Sequence, residues 1–287
     1  MTRAKAFCPG HITGFFEIHR TSDVLSTGSR GAGLCLTVGA TSSVELLESN
    51  RVKITVSING EEQRAEVTKS AVKYLLGTDK AEVNVATTLD LPVSQGFGMS
   101  AAGSLSASVA LAELLGQDRH KAFEASHIAE IECGSGLGDV SALHKGGITI
   151  RKTAGLPPIG EVLRIDGEPE VVLGVAGRMM LTRGVLLDPK KSRAINASGG
   201  RCVDQILRNR TLEELMSLSH SFSIDSGLAS NEISKILDEC NNVGMASMAM
   251  LGNSVFSIGN TREMREILNK HGPVWECRVD CMGPRVL

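Results

Sequence analysis

Aromatic side chains are scarce in this chain: one tryptophan, one tyrosine and seven phenylalanines make up 3% of 287 residues. Leu, Val, Ile, Met and Ala must therefore build the core. Neither sign of charge dominates, with 30 Lys and Arg against 32 Asp and Glu and a net charge of −2. No local run of Lys or Arg breaks that balance, which removes the basic surface that nucleic acid would need. The opening residues, MTRAKAFCPGH, hold no apolar stretch long enough for a signal peptide or a membrane span. The cytoplasm is the expected location and no membrane partner is expected. Seven cysteines are scattered, and no two pairs stand at metal-site spacing, so reduced thiols are the reading.

The length suits one large domain or two ordinary ones. AKAFC (4–8) reads as a short strand. VKITVSI (52–58) alternates, the Asn59-Gly60 pair after it signals a hairpin, and 63–67 is the expected return strand. Residues 68–76 read as a helix closed by Gly77, and 81–89 as another strand. Helical spacing runs from 100 to 115, stopped by Gly116, and again from 118 to 132 with Asp118 as N-cap. GSGLGD (134–139) is a loop, and 146–151 a strand. The proline- and glycine-dense GLPPIG (155–160) marks a domain boundary, giving domains 1–155 and 156–287. Beyond it, strands at 171–176 and 253–258 and helices at 212–223, 229–240 and 262–270 suggest a split α+β sandwich.

The stretch QGFGMSAAGSLSAS (95–108) places glycine, serine and alanine where a helix begins. Helix starts carry backbone N–H groups without intrahelical partners, and glycines ahead of them admit an anion. A tight turn before a closely packed helix would use the same residues. The lysine of a Walker A loop is missing, since Gly98 is followed by Met99 and Ser100. Gly96-x-Gly98-x-x-Ala101 matches the dinucleotide spacing, but six residues including Pro92 separate it from the preceding strand.

PVSQGFGMSAA resembles the phosphate loop of the GHMP kinases, with Pro92, Gly96, Gly98, Ser100, Ala101 and Ala102 in register. FCPGHITGFF resembles that superfamily's first motif, and GSGLGDVSALHKGGI its Gly-Ser-Gly-x-x-Asp segment. TGSRGAG (27–33), PGHITGFF and SQGFGMSAAG resemble the archaeal pantoate kinases more than the sugar or mevalonate enzymes. The resemblance implies an α+β, two-domain fold, with an N-terminal ribosomal-S5-like domain and a C-terminal ferredoxin-like domain closing the cleft. It implies ATP and Mg²⁺ as cofactors and phosphorylation of pantoate to 4-phosphopantoate, on the route to coenzyme A. Three departures stand out. His11 occupies a position where the superfamily often has Lys or Arg, Met99 replaces a serine, and 244–259 lacks the usual glycines.

Roles follow from that resemblance. Ser100 would meet phosphate or Mg²⁺, or cap its helix. Glu130 would hold Mg²⁺ with Ser100, Glu132 being its rival. His127, three residues earlier, shares the Glu130 face and would meet the acceptor, or else cap or sit at the surface. Asp139 would be the catalytic base, with a helix N-cap as the plainer role. For the acceptor carboxylate the candidates are Arg30, Arg151 and Arg183, with Arg151 nearest Asp139 in sequence. Ser29 and Thr182 would bind acceptor oxygens. Another acceptor within the superfamily, such as homoserine, shikimate or a mevalonate relative, is the alternative. A non-catalytic ATP sensor would need neither Glu130 nor Asp139. The residues leave the oligomeric state open, a homodimer being the expectation.

Overall fold

The computed structural model describes residues 2–179 and 182–287, with the backbone alone for Thr182 and Arg183. Two long strands, β1 (Thr2–His19) and β2 (Gly28–Glu48), pair antiparallel almost end to end. The sequence shows only a short strand at 4–8, because β1 is buried continuously from Ala6 to Ile12. A strand covered on both faces has no alternation to read. Its Pro9-Gly10 pair, which looks like a breaker, sits where the register shifts at a bulge.

β3 (Lys53–Ile58) enters the Asn59-Gly60 turn, whose φ angles of 52° and 88° are those of a tight hairpin. The return strand expected at 63–67 is corrected. β4 is Glu61–Glu62 alone, and α1 (Glu66–Leu76) has begun by residue 66. β3 instead pairs in parallel with β5 (Ala81–Leu89) across the α1 crossover. That arrangement covers β3 with a helix and buries more apolar surface than a two-stranded ribbon would. α2 (Met99–Leu115) and α3 (Arg119–Cys133) follow, the latter capped by Asp118, which accepts from His120 N–H at 2.6 Å. α2 is buried on nearly every side, so it is the central helix of this half. α4 (Asp139–Leu143), β6 (Ile148–Thr153) and β7 (Glu161–Ile165) complete it.

The second half runs β8 (Glu170–Val175), α5 (Thr182–Leu186), α6 (Pro189–Arg208), α7 (Leu212–Asp225), α8 (Asn231–Asn241), β9 (Gly244–Ala249), β10 (Ser254–Gly259), α9 (Thr261–Leu268), β11 (Val274–Arg278) and β12 (Arg285–Val286). Its sheet orders β11–β8–β10–β9, all antiparallel, which is the expected split α+β arrangement. The first sheet orders β12–β1–β2–β5–β3–β4, with β6 on β2 and β7 on β6. GLPPIG therefore turns the chain between two paired strands. The change of sheet falls between β7 and β8, and we place the division of the chain there as a proposal. α6 escapes the sequence reading because Gly199-Gly200 interrupts it. The structure supplies the reason for the glycine: a Cβ at Gly199 would collide with the Phe16 carbonyl of β1.

Candidate active site

A cleft of about 650 Å³ opens where the loop before α2, the end of α3, the 134–139 loop and β6 converge. Gly96 and Gly98 both have left-handed backbone, with φ of 78° and 65°. A Cβ at Gly98 would stand 2.8 Å from the His11 carbonyl oxygen, and one at Gly96 2.8 Å from that of Ala249. What approaches these glycines on their Cβ side is the protein's own backbone, which clamps the loop between β1 and the β9–β10 turn. The first intrahelical bond of α2 is Ala102 N–H to Gly98 O, at 2.9 Å. The N–H groups of Met99, Ser100 and Ala101 lack such partners, and Ser100 is exposed in the cleft. The Met99 side chain is buried. Pro92, Ala101 and Ala102 do not line the cleft: Pro92 lies in the loop after β5, and the two alanines are fully buried in the core. Of these three only Ala101 has an N–H without an intrahelical partner.

Glu130 is 3% exposed, whereas Glu132 is exposed, so the helix turns the first into the cleft and its rival to solvent. Ser100 Oγ donates to Glu130 Oε1 at 2.5 Å and Ser135 Oγ to the same oxygen at 3.0 Å. Burial pushes the Glu130 carboxyl up to about 7, the two serine hydroxyls pull it back, and the Asp139 charge adds to the rise. A Cβ at Gly136 would collide with Glu130 and lie 3.7 Å from Asp139 Oδ2, so the two carboxylates share one glycine-lined space. Two carboxylates facing one closed space suit a divalent cation. Among the described residues no three His, Cys, Asp or Glu side chains cluster as a complete metal cage. Mg²⁺ fits that pattern, because it takes one or two protein carboxylates and leaves other positions to water and phosphate.

Asp139 is the first residue of α4, but its side chain caps nothing: the N-cap is Gly138, and the Asp139 carboxylate turns to His11. Its Oδ1 lies 2.7 Å from His11 Nδ1, and 26% of the Asp139 side chain is open. Burial alone would raise this carboxyl. The His11 hydrogen bond, the Arg151 charge and the Thr13 hydroxyl override it and hold the group below its ordinary value. Arg151 is 1% exposed; its Nη2 donates to Thr13 Oγ1 at 3.4 Å, while buried Nε and Nη1 have no partner among the described residues. Burial pulls its guanidinium down to about 10, leaving it charged at neutral pH. A Cβ at Gly138 would strike Ser29 Oγ and come within 2.7 Å of Arg151 Nε. Ser29 and Arg151 therefore flank the residue just before Asp139, and both line the cleft.

Two of the expected acceptor residues stand outside the cleft. His127 does not line the cleft; its Nε2 lies 3.2 Å from Val24 O and 3.1 Å from Thr27 O, and it fastens the β1–β2 loop that leads to Ser29. The ring is drawn there because an otherwise buried loop carbonyl needs a donor. Arg30 is taken up by Glu17 at 3.0 Å and lies outside the cleft. Thr182 and Arg183 open α5, and their side chains lie outside the described residues. Sequence reasoning missed Thr13, Ser135 and the contact of His11. The odd His11 in the Pro-Gly segment was the one available signal; Thr13 and Ser135 had none.

Residues 66–147 match the family model of the GHMP kinases N terminal domain. A pantoate kinase of Methanocaldococcus jannaschii is 34% identical over 264 residues, covering 92% of this chain and 95% of that protein. One of Methanospirillum hungatei is 35% identical over 295 residues, covering 100% and 97%. A solved structure described as a phosphotransferase related to the CoA biosynthesis pathway superposes with a TM-score of 0.91 at 30% identity, covering 100% of this chain and 99% of that one.

Proposed function

The chain belongs to the pantoate kinase family of GHMP kinases, and from that membership we propose that it transfers the terminal phosphoryl group of ATP to pantoate, giving 4-phosphopantoate and ADP. The observation that carries the acceptor is Arg151. A buried guanidinium with two nitrogens unpartnered among the described residues is costly unless an anion completes it. Pantoate brings a carboxylate, which an arginine fork binds through two bonds. Ser29 lies beside that fork and takes an acceptor oxygen.

The free N–H groups at the start of α2 and the Ser100 hydroxyl meet the nucleotide's phosphates. Glu130 and Ser100 hold Mg²⁺, which when bound neutralises phosphate charge. Asp139, ionised at neutral pH, takes the acceptor's hydroxyl proton as its oxygen bonds to the terminal phosphorus. The bond from that phosphorus to the bridging oxygen breaks, and ADP leaves. The ionised state suits this role, and the depressed pKa limits the carboxylate's basicity. For a loose phosphoryl-transfer transition state, positioning counts for more than base strength. ATP supply and unpaired thiols both suit the cytoplasm as the place of reaction.

An acceptor panel of pantoate, homoserine, shikimate and mevalonate, read by ADP release, tests the reading. Pantoate is expected to exceed the others in kcat/KM by orders of magnitude. A faster rate with homoserine, shikimate or mevalonate, each of which also brings a carboxylate, would leave Arg151 its role and reassign the acceptor.

A further inference from the structure

We propose that His11 is the positioning residue for Asp139, and that it couples the base to the glycine loop of α2. The inference rests on reading Asp139 as the proton acceptor and extends it to a residue outside the cleft. His11 Nδ1 meets Asp139 Oδ1 at 2.7 Å across 128 residues of chain. The His11 side chain is wholly enclosed, so it reaches neither solvent nor substrate and acts only through what it touches. Its backbone N–H donates to the Phe97 carbonyl at 3.1 Å, between the two glycines of the loop. One residue thus holds the base by its side chain and the phosphate loop by its main chain.

The chemistry of the contact is one-sided. With Oδ1 engaged, the Asp139 carboxylate is fixed about its last rotatable bond. Oδ2 remains, and it faces the space that Gly136 leaves open. An ionised carboxylate needs a donor, so Nδ1 carries the proton. Among the described residues Nε2 is buried without a partner. A second proton there would be an orphaned donor, which disfavours the imidazolium. Burial works in the same direction, and of the charged groups facing the ring Arg151 on β6 also opposes protonation while Asp139 on α4 favours it. A neutral donor orients the carboxylate without cancelling its charge. A fixed cation at the same point would form an ion pair with the base and weaken it.

Four variants of the full-length protein test this: His11→Ala, His11→Asn, Asp139→Asn, and His11→Ala combined with Asp139→Asn. Steady-state kinetics with ATP and pantoate are measured below the lowest Tm of the set. Misplacing a reacting group by about 1 Å costs on the order of 10²-fold, so His11→Ala is expected to lower kcat about 10–100-fold while both KM values change little. Asn places an amide N–H where Nδ1–H stood and is expected to restore most of the rate. In the Asp139→Asn background, His11→Ala is expected to cost nothing further, because its effect passes through the carboxylate.

An equal loss in both backgrounds, or an Asn variant as slow as Ala, overturns the proposal while leaving the base in place. Near-wild-type kcat for Asp139→Asn alone overturns the base and His11 together. If the alanine variants do not fold, His11→Gln replaces them. Its amide reaches the Nε2 position and not Nδ1, so Asn is expected to be active and Gln slow; the reverse order refutes the coupling.

Discussion

Glu130 shows what a single residue gives up for the site. Its carboxyl sits at about 7 in the folded chain because burial penalises the charged form. In the unfolded chain it returns to about 4.5. Between those values the folded state holds a proton that the unfolded state releases, so raising the pH favours unfolding across that window. The stability is fully present below about 4.5 and lost as the pH passes about 7. Metal-free protein in a chelator is therefore expected to lose Tm progressively over this range, and Glu130→Gln, which cannot ionise, to flatten the slope and overtake wild type at pH 8. Parallel Tm–pH curves for the two proteins would mean that another group titrates. Arg151 makes the same trade with the opposite charge, held at the cleft, among the described residues, by one weak bond to Thr13.

At the scale of the element, the start of α2 depends on glycine for two separate reasons. Gly98 occupies left-handed backbone, and its missing Cβ leaves room for the His11 carbonyl at 2.8 Å and the His11 nitrogen at 3.1 Å. Left-handed backbone costs an ordinary residue about 1–2 kcal/mol. Gly98→Ala is therefore expected to lower Tm by several degrees, at about 2–4 °C per kcal/mol for a chain of a few hundred residues. It should also raise the ATP KM, because pushing on β1 tilts the free N–H groups away from the phosphates. Calorimetry and ATP titration check the two effects. A loss of stability with an unchanged ATP KM would show that the helix start keeps its aim without the glycine. Gly96 makes the equivalent close approach to the carbonyls of Ala249 and Met250. The segment 244–259, short of the superfamily's usual glycines, thus acts as a buttress behind the loop.

At the scale of the molecule, the chain's end returns to its beginning. Ala6 and Phe7 of β1 pair with β12, Leu287 N–H donates to Lys5 O at 2.8 Å, and Asp280 N–H donates to Cys35 O at 2.9 Å. Asp280 is buried and holds Arg285 at 2.9 Å, whose guanidinium covers the Phe7 ring, and Arg119 of α3 reaches the Pro284 carbonyl. The tail therefore closes the free edge of β1 and ties the second half of the chain to the first. Deleting 279–287 strips these bonds, each worth about 1 kcal/mol, and uncovers a sheet edge. The truncated protein is expected to lose on the order of 10 °C in Tm and to aggregate, although none of those residues lines the cleft. A truncated enzyme with wild-type Tm would show that β1 needs no cover.

Local rules were enough for some of this protein and silent on the rest. The helix start at Ser100, the Asp118 cap and the Asn59-Gly60 turn follow from glycine's freedom, from side-chain oxygens and from spacing along one element. The resemblance of three short motifs carried the fold and brought Ser100, Glu130 and Asp139 to one site. Periodicity states which side of an element a residue occupies, not what stands opposite. That limit hid β1, whose two faces are both covered, and α6, whose Gly199 meets the Phe16 carbonyl. Only the tertiary structure turned Glu130 inward and Glu132 outward, and left Arg151 Nε and Nη1 without partners among the described residues while Arg30 found Glu17. It also took His127 to the β1–β2 loop and placed His11 against Asp139, 128 residues away. Those outcomes depend on which strands the long β1–β2 pair brings together. A contact set by topology leaves no mark on the residues adjacent to it in the chain.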